Sequence, residues 1–306
     1  MQKILAIVGP TAIGKTSMAI SLAQELSGEI ISGDSMQVYQ EVAVGTAKPT
    51  YSERQAVKHY LVDTQSIFAP YSVVDFVHDA KNAAQEITKK NKLPILVGGT
   101  GFYVNAFLNQ MQLGEKNSQE SAIAEKWNMY LKQNGAAQLW QQLAAQDFAA
   151  ACKISPNNSR RVLRALTVIE RTGKKFSQQQ EEIPPRYNYL IIGLNADRQE
   201  IYRRINLRVD QMMEQGLLKE AEFIFQNREQ EYQVLQAIGY KEFFPYFTGE
   251  KKLAECVVDL KTASRRYAKR QLTYFRHQLP VNWVDPLKNN NCTKEIKQKV
   301  EAWLNE

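Results

Sequence analysis

Gly9-Pro10-Thr11-Ala12-Ile13-Gly14-Lys15-Thr16 is the stretch that most narrows what this chain can become. It fits the pattern G-x-x-x-x-G-K-S/T, and its context fits as well. Before it runs Lys3–Val8, nearly all apolar, as expected of a strand buried on both faces. After it, in 16–26, Met18, Leu22 and Leu26 recur at helical spacing and the pattern ends near Gly28. In a strand–loop–helix unit of this kind, loop N–H groups and the helix N-terminus cradle a polyphosphate. Lys15 neutralises it, and the Thr16 hydroxyl can ligate Mg²⁺. The loop therefore predicts a phosphate site at the end of a parallel-sheet strand.

The alternation continues. Residues 29–32 (EIIS) read as a second strand closed by Gly33-Asp34, and 59–62 as a third. Residues 72–91 form the clearest helix, with Ser72 and Asp75 as a capping pair and Val73, Phe76, Val77, Ala80, Ala84 and Ile87 as its apolar stripe. Residues 94–97 give another buried strand, ending in Gly98-Gly99-Thr100-Gly101. Such alternation implies a parallel sheet with right-handed crossovers. From Gly114 to Pro185 only helical periodicity remains, rich in Gln, Ala and Lys, and Pro184-Pro185 closes it. Strand pattern resumes at 189–194 (YLIIGL). A helix over 197–215 follows, with Gly216 as its C-cap, then a long helix over 253–277, a strand over 281–284 and a terminal helix. The expected architecture is α/β: a P-loop NTPase-like parallel-sheet core, residues 1–113 and 186–306, carrying an inserted all-helical domain, residues 114–185.

An ATPase of this architecture usually ends a second buried strand in a Mg²⁺-binding Asp. Here that strand ends in GGTG, and the acid ends another strand, at Asp34. Parallel strand ends share one crevice, so Asp34 can be a general base or an acceptor for a substrate amine or hydroxyl. An Asx turn or a helix cap uses the same residue type there, and Thr100 can equally cap the helix that follows it.

Charge adds a polyanionic partner. The chain of 306 residues carries 39 Lys+Arg against 32 Asp+Glu. The excess is concentrated in two stretches. One holds Arg160, Arg161, Arg164, Arg171, Lys174 and Lys175, opposed by Glu170. The other holds Lys261, Arg265, Arg266, Lys269, Arg270 and Arg276, interleaved with Tyr267 and Tyr274. Basic helices with aromatics suit a phosphate backbone and unstacked bases. Arg203, Arg204 and Arg208 can clamp a diphosphate or pair with Glu200 and Asp210. Three dispersed cysteines and three histidines argue against a disulfide framework or a zinc cluster. No apolar run is long enough for a bilayer and the first residues do not read as a secretory signal, so a cytoplasmic protein is expected.

The strings GPTAIGKT, DSMQVY, VGTAKPT, LVGGTGFY, PNNSRRVLRAL, IGYKEF and RRYAKRQLTYFR, in this order, closely resemble the bacterial tRNA dimethylallyltransferase (tRNA isopentenyltransferase) family from Lys3 to about Asp285. The resemblance implies a reaction: a dimethylallyl group passes from dimethylallyl diphosphate to N6 of the adenosine immediately 3′ of the anticodon, with Mg²⁺. It implies that Gly9 to Thr16 hold the diphosphate leaving group and Thr16 the metal. Asp34 would be the base, within an adenosine-recognition stretch of Asp34, Ser35, Met36 and Gln37. Thr100 would touch the tRNA near the flipped nucleotide, and Arg208 would stabilise the departing diphosphate. Arg160, Arg161 and Arg164, with Lys269, Arg270 and Arg276, would grip the anticodon stem-loop. The partners implied are dimethylallyl diphosphate and tRNA, with no membrane, for a protein expected to be a monomer.

Overall fold

Ile4, Ala6 and Val8 pack on one side of β1 (Lys3–Val8) and Leu5 and Ile7 on the other, and all five are fully buried. An unbroken apolar strand is therefore covered twice, as its composition requires. The structure, a computed structural model, describes residues 1–109, 111, 118–178, 187–229, 233–288 and 291–306. After β1 come α1 (Lys15–Glu25), β2 (Gly28–Ser32), α2 (Tyr51–Ala56), β3 (His59–Tyr60), α3 (Val73–Lys89), β4 (Leu93–Gly98) and α4 (Gly101–Leu108). Three helices follow: α5 (Ser118–Gln146), α6 (Phe148–Lys153) and α7 (Ser159–Thr172). Then come β5 (Asn188–Leu194), α8 (Arg198–Glu214), α9 (Leu217–Gln226), α10 (Phe244–Phe247), α11 (Leu253–Gln278), β6 (Asn282–Val284) and α12 (Cys292–Asn305).

The sheet runs β3-β2-β4-β1-β5-β6, and every pairing is parallel. From β1 the chain passes over to β2 and β3, returns to fill the gap with β4, then continues to β5 and β6 on the far side. β1 is thus flanked by strands reached in opposite directions, and that is where a crevice opens in such sheets. The α3 stripe residues Phe76, Ala80, Ala84 and Ile87 cover one face; Met18 and Leu22 of α1 with Ile296 and Val300 of α12 cover the other. Ser72 and Asp75 form the reciprocal cap of α3 that the sequence suggests.

Several elements differ from expectation, and α2 and α10 answer to no expected helix. The third strand stops at Tyr60 instead of Val62, because Leu61 and Asp63 take positive φ and leave the ladder. Helix α9 is an addition: Gly216, at φ 98, does not merely end α8 but starts α9 at once.

The chain divides into two compact units, Met1–Met111 with Pro185–Glu306, and Gln112–Pro184. The expected boundaries at 113/114 and 185/186, with Gly114 and Pro184-Pro185, lie outside the described residues. The second unit has its own core, in which Trp127, Leu139, Leu143, Val162 and Leu166 pack together. Its long helix α5 breaks at Gly135, where φ is 81. Buried Asp147 caps α6 through the Ala150 N–H and also accepts from the Ser177 N–H and hydroxyl. Among the described residues no helix is long and apolar enough to cross a membrane, and all three cysteines are free.

Candidate active site

The loop after β1 is built for a close anionic guest. Gly9 has φ 149, and a Cβ there would lie 2.5 Å from the Leu194 carbonyl oxygen; Gly14 has φ 102. Only glycine tolerates these positions, and Ala12 joins them at φ 65. Ile13 is buried in the core below and anchors the loop. No side chain caps the N-terminus of α1, which leaves its first N–H groups available to an anion.

Three charged side chains converge here. Lys15 Nζ donates to the Pro10 carbonyl at 2.8 Å. Burial and the neighbouring Arg208 pull its pKa down to about 7, against the pull of Asp34. Arg208, on α8, is also largely buried and reaches the Thr11 hydroxyl at 3.4 Å. Burial raises Asp34 above the usual carboxylate range, although the Met36 N–H, Lys15 and Arg208 all favour its charged form. Asp34 does make an Asx turn, accepting from the Met36 N–H at 2.9 Å. That turn aims the carboxyl group rather than using it up, since one carboxylate offers about four acceptor sites.

Thr100 does not cap α4 through its side chain. Its hydroxyl accepts instead from the Ser35 N–H at 3.3 Å, tying the end of β4 to the residue after Asp34. Gln37 has an inward commitment. Its amide nitrogen donates to the carbonyls of Thr46 and Ala47, and its amide oxygen accepts from the Ser32 hydroxyl. Gln37 therefore holds the loop at 43–48, which contains the VGTAK string and which Glu220 of α9 holds from the other side through the N–H groups of Ala43, Val44 and Gly45.

Two hollows, about 810 and about 300 Å³, share Thr11, Asp34, Arg208 and Tyr267 as walls. The larger is lined by Gly14, Lys15 and Thr16, the smaller by Ser35, Met36 and Arg270. Asp34 thus borders both a phosphate-type cradle and a second chamber. Pro10 enters through its carbonyl alone.

The arginines of α8 divide. Arg203 forms a two-point ion pair with Glu200, and Arg204 lies against the same carboxylate; Asp210 pairs with Lys261 of α11 rather than with an arginine. Lys261 and Arg265, which bonds Asn206, thus face the protein. Arg266, Lys269, Arg270 and Arg276 are exposed, and the first three line an open groove of about 700 Å³. The two tyrosines also part company: Tyr267 lines the buried hollows, while Tyr274 packs on Gly101 and accepts from Asn105. In the second unit, Arg160 and Arg161 occupy the first turn of α7, with no acid there, and Arg164 lies one turn on. Cations add to the positive end of the helix dipole at that position, which concentrates rather than balances charge. Asn158 caps the helix through the Arg161 N–H.

Sequence reasoning missed Gln271. It falls on the buried stripe of α11 with Leu260, Ala268 and Phe275, and an uncharged polar residue on such a stripe is a readable signal.

The match to known proteins covers both halves of this site. The family model described as IPP transferase matches residues 37–278. A Lactobacillus acidophilus protein described as tRNA dimethylallyltransferase is 69% identical over 305 residues, covering 100% of each chain. An Enterococcus faecalis protein of the same description is 45% identical, covering 99% of this chain and 98% of its own. The solved tRNA isopentenylpyrophosphate transferase of Bacillus halodurans superposes with a TM-score of 0.76 at 42% identity, covering 100% of this chain and 97% of that one. A eukaryotic dimethylallyltransferase acting on tRNA gives 0.82 at 29% identity, over 97% of this chain and 78% of that one. The P-loop and Asp34 precede the family-model match but lie inside these end-to-end likenesses. From its first strand to its last helix, the chain belongs to the IPP transferase family.

Proposed function

We propose that the chain transfers a dimethylallyl group from dimethylallyl diphosphate to N6 of the adenosine immediately 3′ of the anticodon in tRNA, releasing diphosphate. The observation that carries this reading is the position of Asp34. It is a half-buried carboxylate on the wall common to a P-loop cradle and a second chamber. The diphosphate lies on the loop from Gly9 to Thr16, and Lys15 and Arg208 offset the negative charge that grows on it as the allylic C–O bond breaks. Adenine N6 is a weak nucleophile. Asp34 accepts from its N–H, holds it in line and takes its proton as the C–N bond forms. A base stacked in a loop is out of reach, so the nucleotide turns out into the smaller chamber beside Ser35, which Thr100 fixes, and Met36. Enclosure keeps water from the electron-poor allyl carbon.

Mg²⁺ suits the donor set. Among the described residues no cluster of three or more His, Cys, Asp and Glu forms a cage. The Thr16 hydroxyl with phosphate oxygens and water is the arrangement this ion favours, and when bound it adds positive charge at the leaving group. Arg160, Arg161 and Arg164, with Lys269, Arg270 and Arg276, contact the anticodon stem-loop backbone. A tRNA substrate supports a cytoplasmic location.

Nucleoside mass spectrometry of an anticodon stem-loop, after incubation with dimethylallyl diphosphate and Mg²⁺, tests this reading. The dimethylallyl mass increment is expected on that adenosine, and not on free AMP. Asp34→Asn should lower the rate by about 10²–10⁴-fold while the stem-loop still binds. Retained turnover would remove Asp34 as the base. Because burial raises its pKa, the rate should fall with acidity from a pH above the ordinary carboxylate range.

A further inference from the structure

Two glycine-rich strings, one after β1 and one after β4, must stand a fixed distance apart for chemistry between them to work. The first holds the leaving group in the reading above. The second carries Thr100, whose hydroxyl fixes Ser35 and so the turn containing Asp34. Main-chain hydrogen bonds between β1 and β4 end at Gly98, level with Val8. Beyond that level a side chain bridges the strings.

That side chain is Gln271 of α11. Its amide oxygen accepts from the Thr11 N–H at 3.0 Å, and its amide nitrogen donates to the Gly99 carbonyl at 3.0 Å. The residue is 5% exposed. Its approach is tight enough to require glycine opposite: a Cβ on Gly99 would lie 2.2 Å from Gln271 Nε2. Gln271 lines the same hollow as Tyr267 and Asp34, which places the strut beside the carboxylate. One planar amide therefore grips both strings in the only way its chemistry allows, acceptor to one and donor to the other.

We infer that Gln271 is a positioning residue: it sets the gap between the diphosphate cradle and the Asp34 carboxylate, and with it the alignment of the breaking C–O and forming C–N bonds. This rests on the prenyl-transfer reading. Gln271 takes the Thr11 N–H for itself, so its contribution is to geometry rather than to direct binding of either substrate. It also makes α11 structural on one face while Lys269 and Arg270, two and one residues earlier, are exposed on another.

Single-turnover and steady-state kinetics of the full chain with dimethylallyl diphosphate and an anticodon stem-loop test this. Gln271→Met keeps the volume and removes both hydrogen bonds. It should lower kcat about 10- to 100-fold, the loss expected of a misalignment near 1 Å, while KM for each substrate stays within about threefold of wild type. A folded variant with kcat within about threefold of wild type overturns the inference, as does a loss confined to KM. Should Gln271→Met fail to fold, Gln271→Glu keeps the acceptor for Thr11 and sets a charged acceptor oxygen against the Gly99 carbonyl in place of the donor. The same kcat-selective loss is expected, and unchanged kcat overturns the inference. If wild type itself leaves the stem-loop unmodified, the parent reading falls and this one with it; if wild type turns over and only the Gln271 prediction fails, the parent reading stands.

Discussion

Lys15 stands in a position where its charge depends on its guest. Burial and Arg208 bring its pKa to about 7, far below the ordinary lysine value. A diphosphate restores the protonated form by placing negative charge beside it. The free protein therefore binds, near pH 7, about half a proton fewer at this site than the complex does. Isothermal titration calorimetry of pyrophosphate binding in buffers of different ionisation enthalpy should reveal the uptake. Lys15→Arg should remove it, since a guanidinium stays charged throughout; an identical buffer dependence in the variant would refute the assignment. The linkage has a stability side too. A depressed lysine pKa means that the folded form loses its proton first, so this group's cost is full below pH 7. It is relieved as pH rises from about 7 towards the unfolded value. Asp34 acts in the opposite sense: its raised pKa makes ionisation costly in the folded state above that pKa. Asp34→Asn, which keeps the acceptor for Met36, should raise the Tm at neutral pH by about 2 °C while slowing turnover as above. An unchanged or lowered Tm would show that Lys15 and Arg208 outweigh burial.

Helix α11 shows how one element serves several purposes by face. Gln271 and Tyr267 look into the site, Leu260 and Phe275 fill the core, and Arg266 and Lys269 face water. The helix reaches the strand ends because the string opposite lacks side chains. At Gly101 a Cβ would lie 2.3 Å from the Tyr274 ring. Gly101→Ala should therefore destabilise the protein by about 1–3 kcal/mol through overpacking, and it should lower kcat as the strut at Gln271 shifts. Denaturant unfolding with parallel kinetics checks both; loss of stability with full kcat would separate the packing of α11 from its alignment of the site. Much of this was legible in the sequence, and unevenly so. The P-loop, Asp34 and the capped helix α3 carry local signals: residue type, spacing and flanking pattern. The GGTG glycines and Gln271 stand out in the sequence as a string and as a polar residue on an apolar stripe, but their purpose is not legible there, because it lies in a contact between positions about 170 residues apart. The split of the basic residues was hidden for the same reason. Lys261 turns inward only because α8 places Asp210 against it. The short third strand, too, depends on a backbone angle at Leu61 that no periodicity reports.

At the scale of the molecule, the sheet and the helical insertion each bury a separate apolar cluster. The tryptophans divide between them: Trp127 and Trp140 belong to the inserted unit, Trp283 and Trp303 to the sheet unit. Diphosphate binds the loop on β1, so by mass action it stabilises the unit that carries that loop. The gain is about 2.7 kcal/mol at a ligand concentration a hundred times Kd. The described residues that line the cleft belong to the unit that carries the loop, so the inserted unit's own melting takes no direct gain. Paired variants isolate the two signals: Trp283→Phe with Trp303→Phe leaves reporters of the insertion, and Trp127→Phe with Trp140→Phe leaves reporters of the sheet. Pyrophosphate should raise the Tm seen by Trp283 and Trp303 by several degrees and leave that seen by Trp127 and Trp140 nearly unmoved. Coincident transitions that shift together would mean that the two clusters melt as one cooperative unit. Occupancy of the phosphate loop would then be felt through the whole chain, including the arginines at the start of α7.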